Sequence, residues 1–191
     1  MSTPQATAQR RIVIVPADNP ARIEAVRDLF KAYAASLSFN LCFQSFDQEL
    51  AGLPGDYAPI TGMLLLGLVD DEPAGCVAMR PLSKQPTAGE QEKLGHLEAC
   101  EMKRLYVRRE FRGCGLGGKL VDSILRCASS AGYRTMRLDT VPSEMGTAVE
   151  MYRKLGFVEI VPYCENPVPG AKYMEINLQQ RAEQSPARGL A

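Results

Sequence analysis

Four glycines fall within six positions, Gly113, Gly115, Gly117 and Gly118, flanked by Arg112 and Lys119. Directly behind them Leu116, Leu120, Val121, Ile124, Leu125 and Ala128 recur at helical spacing, and Gly132 ends the run as a C-terminal cap would. A glycine-rich turn that opens a helix gathers unpaired N–H groups and the positive end of the helix dipole at one spot. Phosphate suits that spot. Glycine is needed because a Cβ would hold the phosphate off and forbid some of the required dihedrals. Each charged hydrogen bond contributes about 1.5–3 kcal/mol, so a handful of such amides suffices to anchor a pyrophosphate.

Three phosphate motifs overlay on this segment. Gly113, Gly115 and Gly118 fit GxGxxG, and Asp139 follows about 20 residues later, as a dinucleotide fold requires. Gly113 to Lys119 fits most of a Walker A loop. Each has a physical defect. A dinucleotide fingerprint sits at the end of a buried apolar strand, whereas Arg108-Arg109-Glu110-Phe111-Arg112 precedes this one. The Walker loop needs a hydroxyl after its lysine to hold magnesium, and Leu120 supplies none. Arg-x-x-Gly-x-Gly, read as Arg112, Gly115 and Gly117, leaves no residue unexplained.

The elements that must position this turn follow from patterning. Residues 11–16 read as a strand, and a helix follows from Pro20 with Ile23, Val26, Leu29, Phe30 and Tyr33 on its apolar face. A shorter helix covers Ser45 to Leu53. Residues 62–70 and 74–80 form a hairpin around Asp70-Asp71-Glu72-Pro73. A polar loop spans 83–95, a strand 97–107, and another strand Tyr133 to Thr140 follows the glycine turn and its helix. The pattern predicts a helix from Ser143, as N-cap, to Leu155, with Gly156 as its C-cap. Strands over Phe157 to Tyr163 and Lys172 to Leu178 complete an α/β order. One domain over 11–180 is expected, with polar, flexible ends at 1–10 and 181–191.

Composition narrows the function. The 22 lysines and arginines balance 22 aspartates and glutamates, so no general field draws nucleic acid or anionic membrane. The polar N-terminus carries no secretory signal, and no run approaches a membrane span, which points to the cytoplasm. Six scattered cysteines lack metal spacing, and reduced thiols are expected. His96 is the only histidine, which excludes a histidine-rich metal site.

Four features together resemble the GCN5-related N-acetyltransferase (GNAT) superfamily. They are the strand Glu101-Met102-Lys103-Arg104-Leu105-Tyr106-Val107, the turn Arg112 to Gly118, the segment Met151-Tyr152-Arg153-Lys154-Leu155-Gly156-Phe157, and the strand–helix order around them. The resemblance runs from residue 11 to 178 and is strongest from Cys100 to Phe157. It implies an α/β (α+β) fold with a mixed, mostly antiparallel sheet of about six or seven strands, flanked by about four helices, with a splayed central strand pair. It further implies an acetyl-CoA-dependent N-acetyltransferase acting on a primary amine of a small molecule or peptide by direct transfer, and a homodimer as a common state. A non-catalytic acyl-CoA-binding domain of the same fold is the alternative.

Carried over, the resemblance assigns Leu105, Tyr106 and Val107 to the pantetheine arm and acetyl group, largely through backbone. Arg112, Gly113, Cys114, Gly115, Leu116, Gly117, Gly118 and Lys119 take the pyrophosphate. Glu101, eleven residues before Arg112, stands where members often carry a base, with a salt-bridged strand carboxylate as the other reading. A base matters because deprotonating a lysine-type amine at pH 7 costs about 4–5 kcal/mol, against about 1 kcal/mol for an α-amine. Glu98 is a substitute. Tyr152, four residues before Gly156, matches the usual acid that protonates the leaving thiolate; an amphipathic core tyrosine is the other reading. Met145 stands where many members carry an asparagine. The acceptor region implied covers Tyr33 to Tyr57 and Tyr163 to Tyr173, with Phe39, Phe43 and Phe46 as aromatics and Asp47, Glu49 and Glu165 as amine partners.

Overall fold

A computed structural model describes residues 10–41, 45–82 and 97–184. Its order is β1 (Ile12–Pro16), α1 (Pro20–Ala35), α2 (Phe46–Gly52), β2 (Met63–Val69), β3 (Glu72–Pro81), β4 (Leu97–Val107), α3 (Leu116–Ser130), β5 (Tyr133–Thr140), α4 (Pro142–Lys154), β6 (Val158–Ile160), β7 (Lys172–Asn177) and α5 (Leu178–Gln184). The expected loop 83–95 lies outside the described residues, as do Phe43 and His96.

Local chemistry explains the helices. Asn19 caps α1 by accepting from the Arg22 N–H at 3.0 Å, and Pro20 sits in the first turn, where its missing donor is not needed. On α3 the buried residues are Leu116, Leu120, Val121, Ile124, Leu125 and Ala128. Each large aliphatic among them contributes about 1.5–3 kcal/mol on burial, which fixes α3 against the sheet.

All seven strands join one sheet in the order β1-β2-β3-β4-β5-β7-β6. Among the described strands only β4 and β5 pair in parallel, and α3 supplies the long crossover that parallel neighbours need. Alternation along the strands separates two faces. Cys100, Met102, Leu105, Val107, Met136 and Leu138 pack with α3 in one cluster. Leu64, Leu66, Cys76 and Ala78 pack with α1 and α2 in the other.

The central strands part as expected. Pairing of β4 with β5 runs from Leu97↔Tyr133 to Glu101↔Arg137 and stops. Beyond it β4 stays on β3 through Val107, and β5 stays on β7 through Thr140. Each strand keeps its outer neighbour, so a gap opens between them. A bulge in β4 falls within this stretch: Ala78 pairs with Lys103 and Cys76 with Tyr106, so Arg104 and Leu105 together oppose Val77. Arg104 takes a φ of +56°, a conformation that residues other than glycine rarely adopt. Such a bulge bends its strand and re-aims the side chains on it.

Several details differ from the sequence reading. Helix α4 begins at Pro142 with Val141 as its N-cap, not Ser143, and no side chain caps it. Its backbone leaves helical values at Met145 (φ −131°, ψ 33°), so the first turn stands apart from the rest. Gly156, at φ +98°, is the residue after the cap Leu155, where a left-handed glycine commonly ends a helix. Strand β6 keeps only 3 residues of the expected run from Phe157 to Tyr163. A fifth helix, α5, follows β7 and carries the chain past residue 180. Leu178 buries into the core, and Arg181 donates to the Leu155 carbonyl at 3.0 Å and pairs with Asp122 at 2.5 Å. No described helix is long and apolar enough to cross a membrane.

Candidate active site

Beyond Glu101 the β5-facing edge of β4 has no strand partner among the described residues. That edge leads through a 3₁₀ turn, Arg109–Phe111, into α3. Leu105 and Val107 pack partly buried against the α3 core, and Tyr106 meets the Tyr33 ring at 6.0 Å and 61°. These side chains are occupied in packing, so backbone is what the three residues chiefly offer the gap.

The turn itself is open. Gly113 and Gly115 stand at φ +82° and +89°, and a Cβ added at Gly113, Gly115 or Gly118 would meet nothing within 4 Å. Gly115 caps α3 without any side-chain hydrogen bond. The N–H groups of Leu116, Gly117 and Gly118 therefore begin the helix with no intrahelical partner. Leu116 is fully buried and has only its amide to give. Arg112 and Lys119 are exposed at the rim, where Arg112 Nε donates to the Val107 carbonyl at 3.1 Å. Cys114 Sγ donates to the Phe111 carbonyl at 3.0 Å and so braces the turn. Left-handed glycines, free amides and the helix dipole together make an anion cradle.

Tyr152 reaches the gap from α4. Its ring packs with Phe157 at a centroid distance of 5.5 Å, yet the residue also lines the cleft with Leu105, Leu138, Thr140 and Met145. The residue is thus both a core aromatic and part of the cleft wall. Burial pushes its hydroxyl well above the usual tyrosine range, and Tyr33 and Asp139 add to the effect. Met145 Sδ accepts from Thr140 Oγ1 at 3.7 Å.

Glu101 is placed differently. It is buried and does not line the cleft. Arg80 Nε and Nη2 hold its Oε2 at 3.0 and 2.9 Å, Tyr163 donates to its Oε1 at 2.9 Å, and Lys103 Nζ stands 3.5 Å from that oxygen. Both of its oxygens are thus engaged by donors and cations of the protein itself. Glu98 is exposed near the start of β4, beside Arg134 at 3.7 Å.

Beyond Glu101 the charges continue towards the cleft. Lys103 Nζ donates to Asp139 Oδ1 at 3.1 Å, and Asn166 Nδ2 donates to Asp139 Oδ2 at 2.8 Å. Burial alone would raise the Asp139 carboxyl, but the Lys103 ammonium and the hydrogen bonds from Lys103 and Asn166 hold it below the usual range. Arg104, re-aimed by the bulge, grips Glu49 through Nε at 2.9 Å and Nη2 at 2.5 Å and lies 5.0 Å from the Phe46 ring centroid. Tyr57 donates to the same Glu49 at 2.8 Å. Of the expected acceptor aromatics, Tyr33 and Phe39 line the cleft, whereas Phe46 and Tyr57 brace Arg104 and Glu49. Asp47 and Glu165 are exposed.

Sequence reasoning missed Lys103, Asp139 and Asn166 as cleft residues. Asp139 figured there only as the acid of a dinucleotide fold. On β5 the alternation of buried Met136 and Leu138 with Arg137 and Asp139 was readable, but its meaning depends on where the strands part.

The chain is similar to proteins of one family. A family model described as Acetyltransferase (GNAT) domain matches residues 62–159, from the hairpin through β6. An uncharacterized N-acetyltransferase of Schizosaccharomyces pombe is 35% identical over 162 residues, which cover 84% of this chain and 91% of the relative. Among solved structures, a GNAT-family acetyltransferase from Staphylococcus aureus has a TM-score of 0.67 at 16% identity, covering 88% of this chain and 99% of that one. A putative acetyltransferase from Salmonella typhimurium, determined with its cofactor acetyl-CoA, has a TM-score of 0.62 at 17% identity, covering 87% of this chain and 94% of that one. The chain belongs to the GNAT family of acetyltransferases.

Proposed function

We propose that this protein moves an acetyl group from acetyl-CoA to a primary amine of a small molecule or peptide within one ternary complex. One observation carries the reading: the unpartnered edge of β4 leads through a short turn into the bare N-terminus of α3, and Tyr152 lines the gap beside it. The cradle suits a pyrophosphate, because its glycines leave open space where side chains would intrude. Leu105, Tyr106 and Val107 offer the backbone edge that an extended arm can join as an added strand.

Acetyl-CoA supplies a thioester, an acyl group activated towards amines. The amine nitrogen bonds to the acyl carbon as the carbon–sulfur bond breaks. The nitrogen loses one proton, and the sulfur gains one. Tyr152 holds the proton for sulfur; its raised pKa keeps the hydroxyl protonated until thiolate forms, and solvent restores it. Glu101, read from the sequence as the base, is better suited by its contacts to positioning. It fixes Lys103, and Lys103 fixes Asp139 at the cleft.

Calorimetry with acetyl-CoA, followed by a thiol-release assay across amino acids, polyamines, aminoglycosides and peptides, tests the reading. Saturable binding and amine-dependent release are expected. A Cβ at Gly117 would make ordinary contact at 3.8 Å with Met151 Sδ and Val107 Cγ2, and valine adds two methyl groups beside the amides of the turn. Gly117→Val should therefore weaken acetyl-CoA by at least about tenfold, or about 1.4 kcal/mol. A folded variant that binds as well as the parent would take the pyrophosphate away from this turn.

A further inference from the structure

The gap between β4 and β5 is approached from two faces. The bare turn and Tyr152 belong with α3. Lys103, Arg104 and Asp139 lie opposite, because Met102, Leu105 and Leu138 occupy the α3 face of the same strands. With the acetyl donor on the first face, the acceptor enters from the second.

Charge on that second face is almost entirely committed. Arg104 is held by both oxygens of Glu49, Arg80 by Glu101, and Lys103 by Glu101 and Asp139 together. Among the described residues that line the cleft, Asp139 is the one carboxylate. Its side chain keeps 10% exposure. Lys103 takes one oxygen and Asn166 the other, whereas an ionised carboxylate offers about four lone-pair sites. Accepting capacity is therefore left. The same cleft is lined by Tyr33, Phe39 and Leu41, contributed by α1 and the segment after it.

We propose that Asp139 receives the acceptor's amino group, and that the acceptor is a compact primary amine with one apolar body and no second charge. The proposal rests on the acetyl-transfer reading above. Lys103 beside Asp139 makes the pair neutral overall, so an ammonium gains little there. The uncharged amine, which is the form that attacks, donates an N–H to the carboxylate. A carboxylate or phosphate on the acceptor meets cations that already have partners. A second ammonium meets no second carboxylate on the cleft wall. The apolar body packs against Tyr33, Phe39 and Leu41.

The purified full chain is assayed for thiol release with phenethylamine, phenylalanine and spermidine, after calorimetry has established acetyl-CoA binding. Phenethylamine should exceed the other two in kcat/KM by at least about tenfold, or about 1.4 kcal/mol. In Asp139→Asn, KM for phenethylamine should rise by a similar factor of about tenfold, while inhibition by ethylbenzene, which has the same body without any hydrogen-bond donor, stays nearly unchanged. Phe39→Ala should weaken amine and hydrocarbon alike. Preference for phenylalanine or spermidine, or no release with phenethylamine, overturns the acceptor class. Equal loss of amine and hydrocarbon in Asp139→Asn overturns the contact. Should that variant melt early, the wild-type ranking and the Phe39→Ala result decide. Absence of acetyl-CoA binding defeats the underlying reading instead, and is seen before any amine is added.

Discussion

The two sides of the β4–β5 gap are built on opposite principles. On the proposed donor side the chemistry is backbone: glycines at φ +82° and +89°, amides without partners, and a helix N-terminus left uncapped. On the proposed acceptor side it is side chains, and nearly every charge there is paired with another brought from a distant strand or helix. A backbone cradle tolerates any sequence that keeps its dihedrals. A paired network does not, because removing one partner strands another charge in a buried place. The donor side should thus fail locally and the acceptor side collectively.

The largest effect expected lies between the two sides. Tyr152→Phe keeps the ring that packs on Phe157 and removes only the hydroxyl proposed as proton donor. Turnover should fall by roughly 10²-fold with acetyl-CoA affinity nearly unchanged. A variant that loses affinity in step with rate, or melts early, would make this tyrosine a packing residue and blur the division between the sides.

A smaller effect is expected at Glu101, where the two readings of that residue separate cleanly. A general base would matter most near neutral pH, where the amine is protonated, and its loss would matter less as solvent removes the proton. A positioning carboxylate gives a defect that does not fade. Glu101→Gln leaves Arg80 and Lys103 without their full counter-charge, and kcat/KM should drop roughly tenfold, within the cost of stranding a buried charged donor. That drop should hold constant from about pH 7 to about pH 9, the range over which an α-amine sheds its proton. A defect that shrinks across this range would return Glu101 to the base role.

Legibility followed the same division. The α3 turn is written in adjacent residues, so the bare cradle and its helix could be read from glycine spacing and periodicity. The parting of β4 and β5 came only through the family resemblance, since it arises from which outer neighbour each strand keeps. The bulge at Arg104 left no local sign, because arginine is an unlikely residue for φ +56° and is held there by Glu49 and Phe46 from α2. Asp139 gains its place from Lys103 and Asn166, which lie 36 and 27 residues away along the chain. Helix α5 was hidden by its polar composition. Leu178 and Arg181 anchor it through partners on other elements, which patterning within the segment cannot show.

The smallest effect expected concerns stability and probes the acceptor side without substrate. Asp139 has a folded pKa below its ordinary value: burial, the largest single influence, would raise it, but the Lys103 ammonium and the hydrogen bonds the carboxylate accepts together outweigh that. A depressed carboxyl favours the fold when ionised. Its contribution is present above the unfolded pKa of about 3.9 and is lost only as pH falls through the lower folded value. Asp139→Asn keeps the shape and removes the charge, so at pH 7 it should lower stability by roughly 1–3 kcal/mol, the cost of leaving Lys103 short of a buried partner. Thermal melts of variant and parent should differ by a steady margin from neutral pH down to about pH 4 and converge only at more acid values. A margin that stays unchanged even at more acid values would mean the carboxyl titrates alike in folded and unfolded chain, with Lys103 serving Glu101 alone. The acceptor side would then be a set of separate pairs, and Glu101→Gln should leave Asp139 and the cleft untouched.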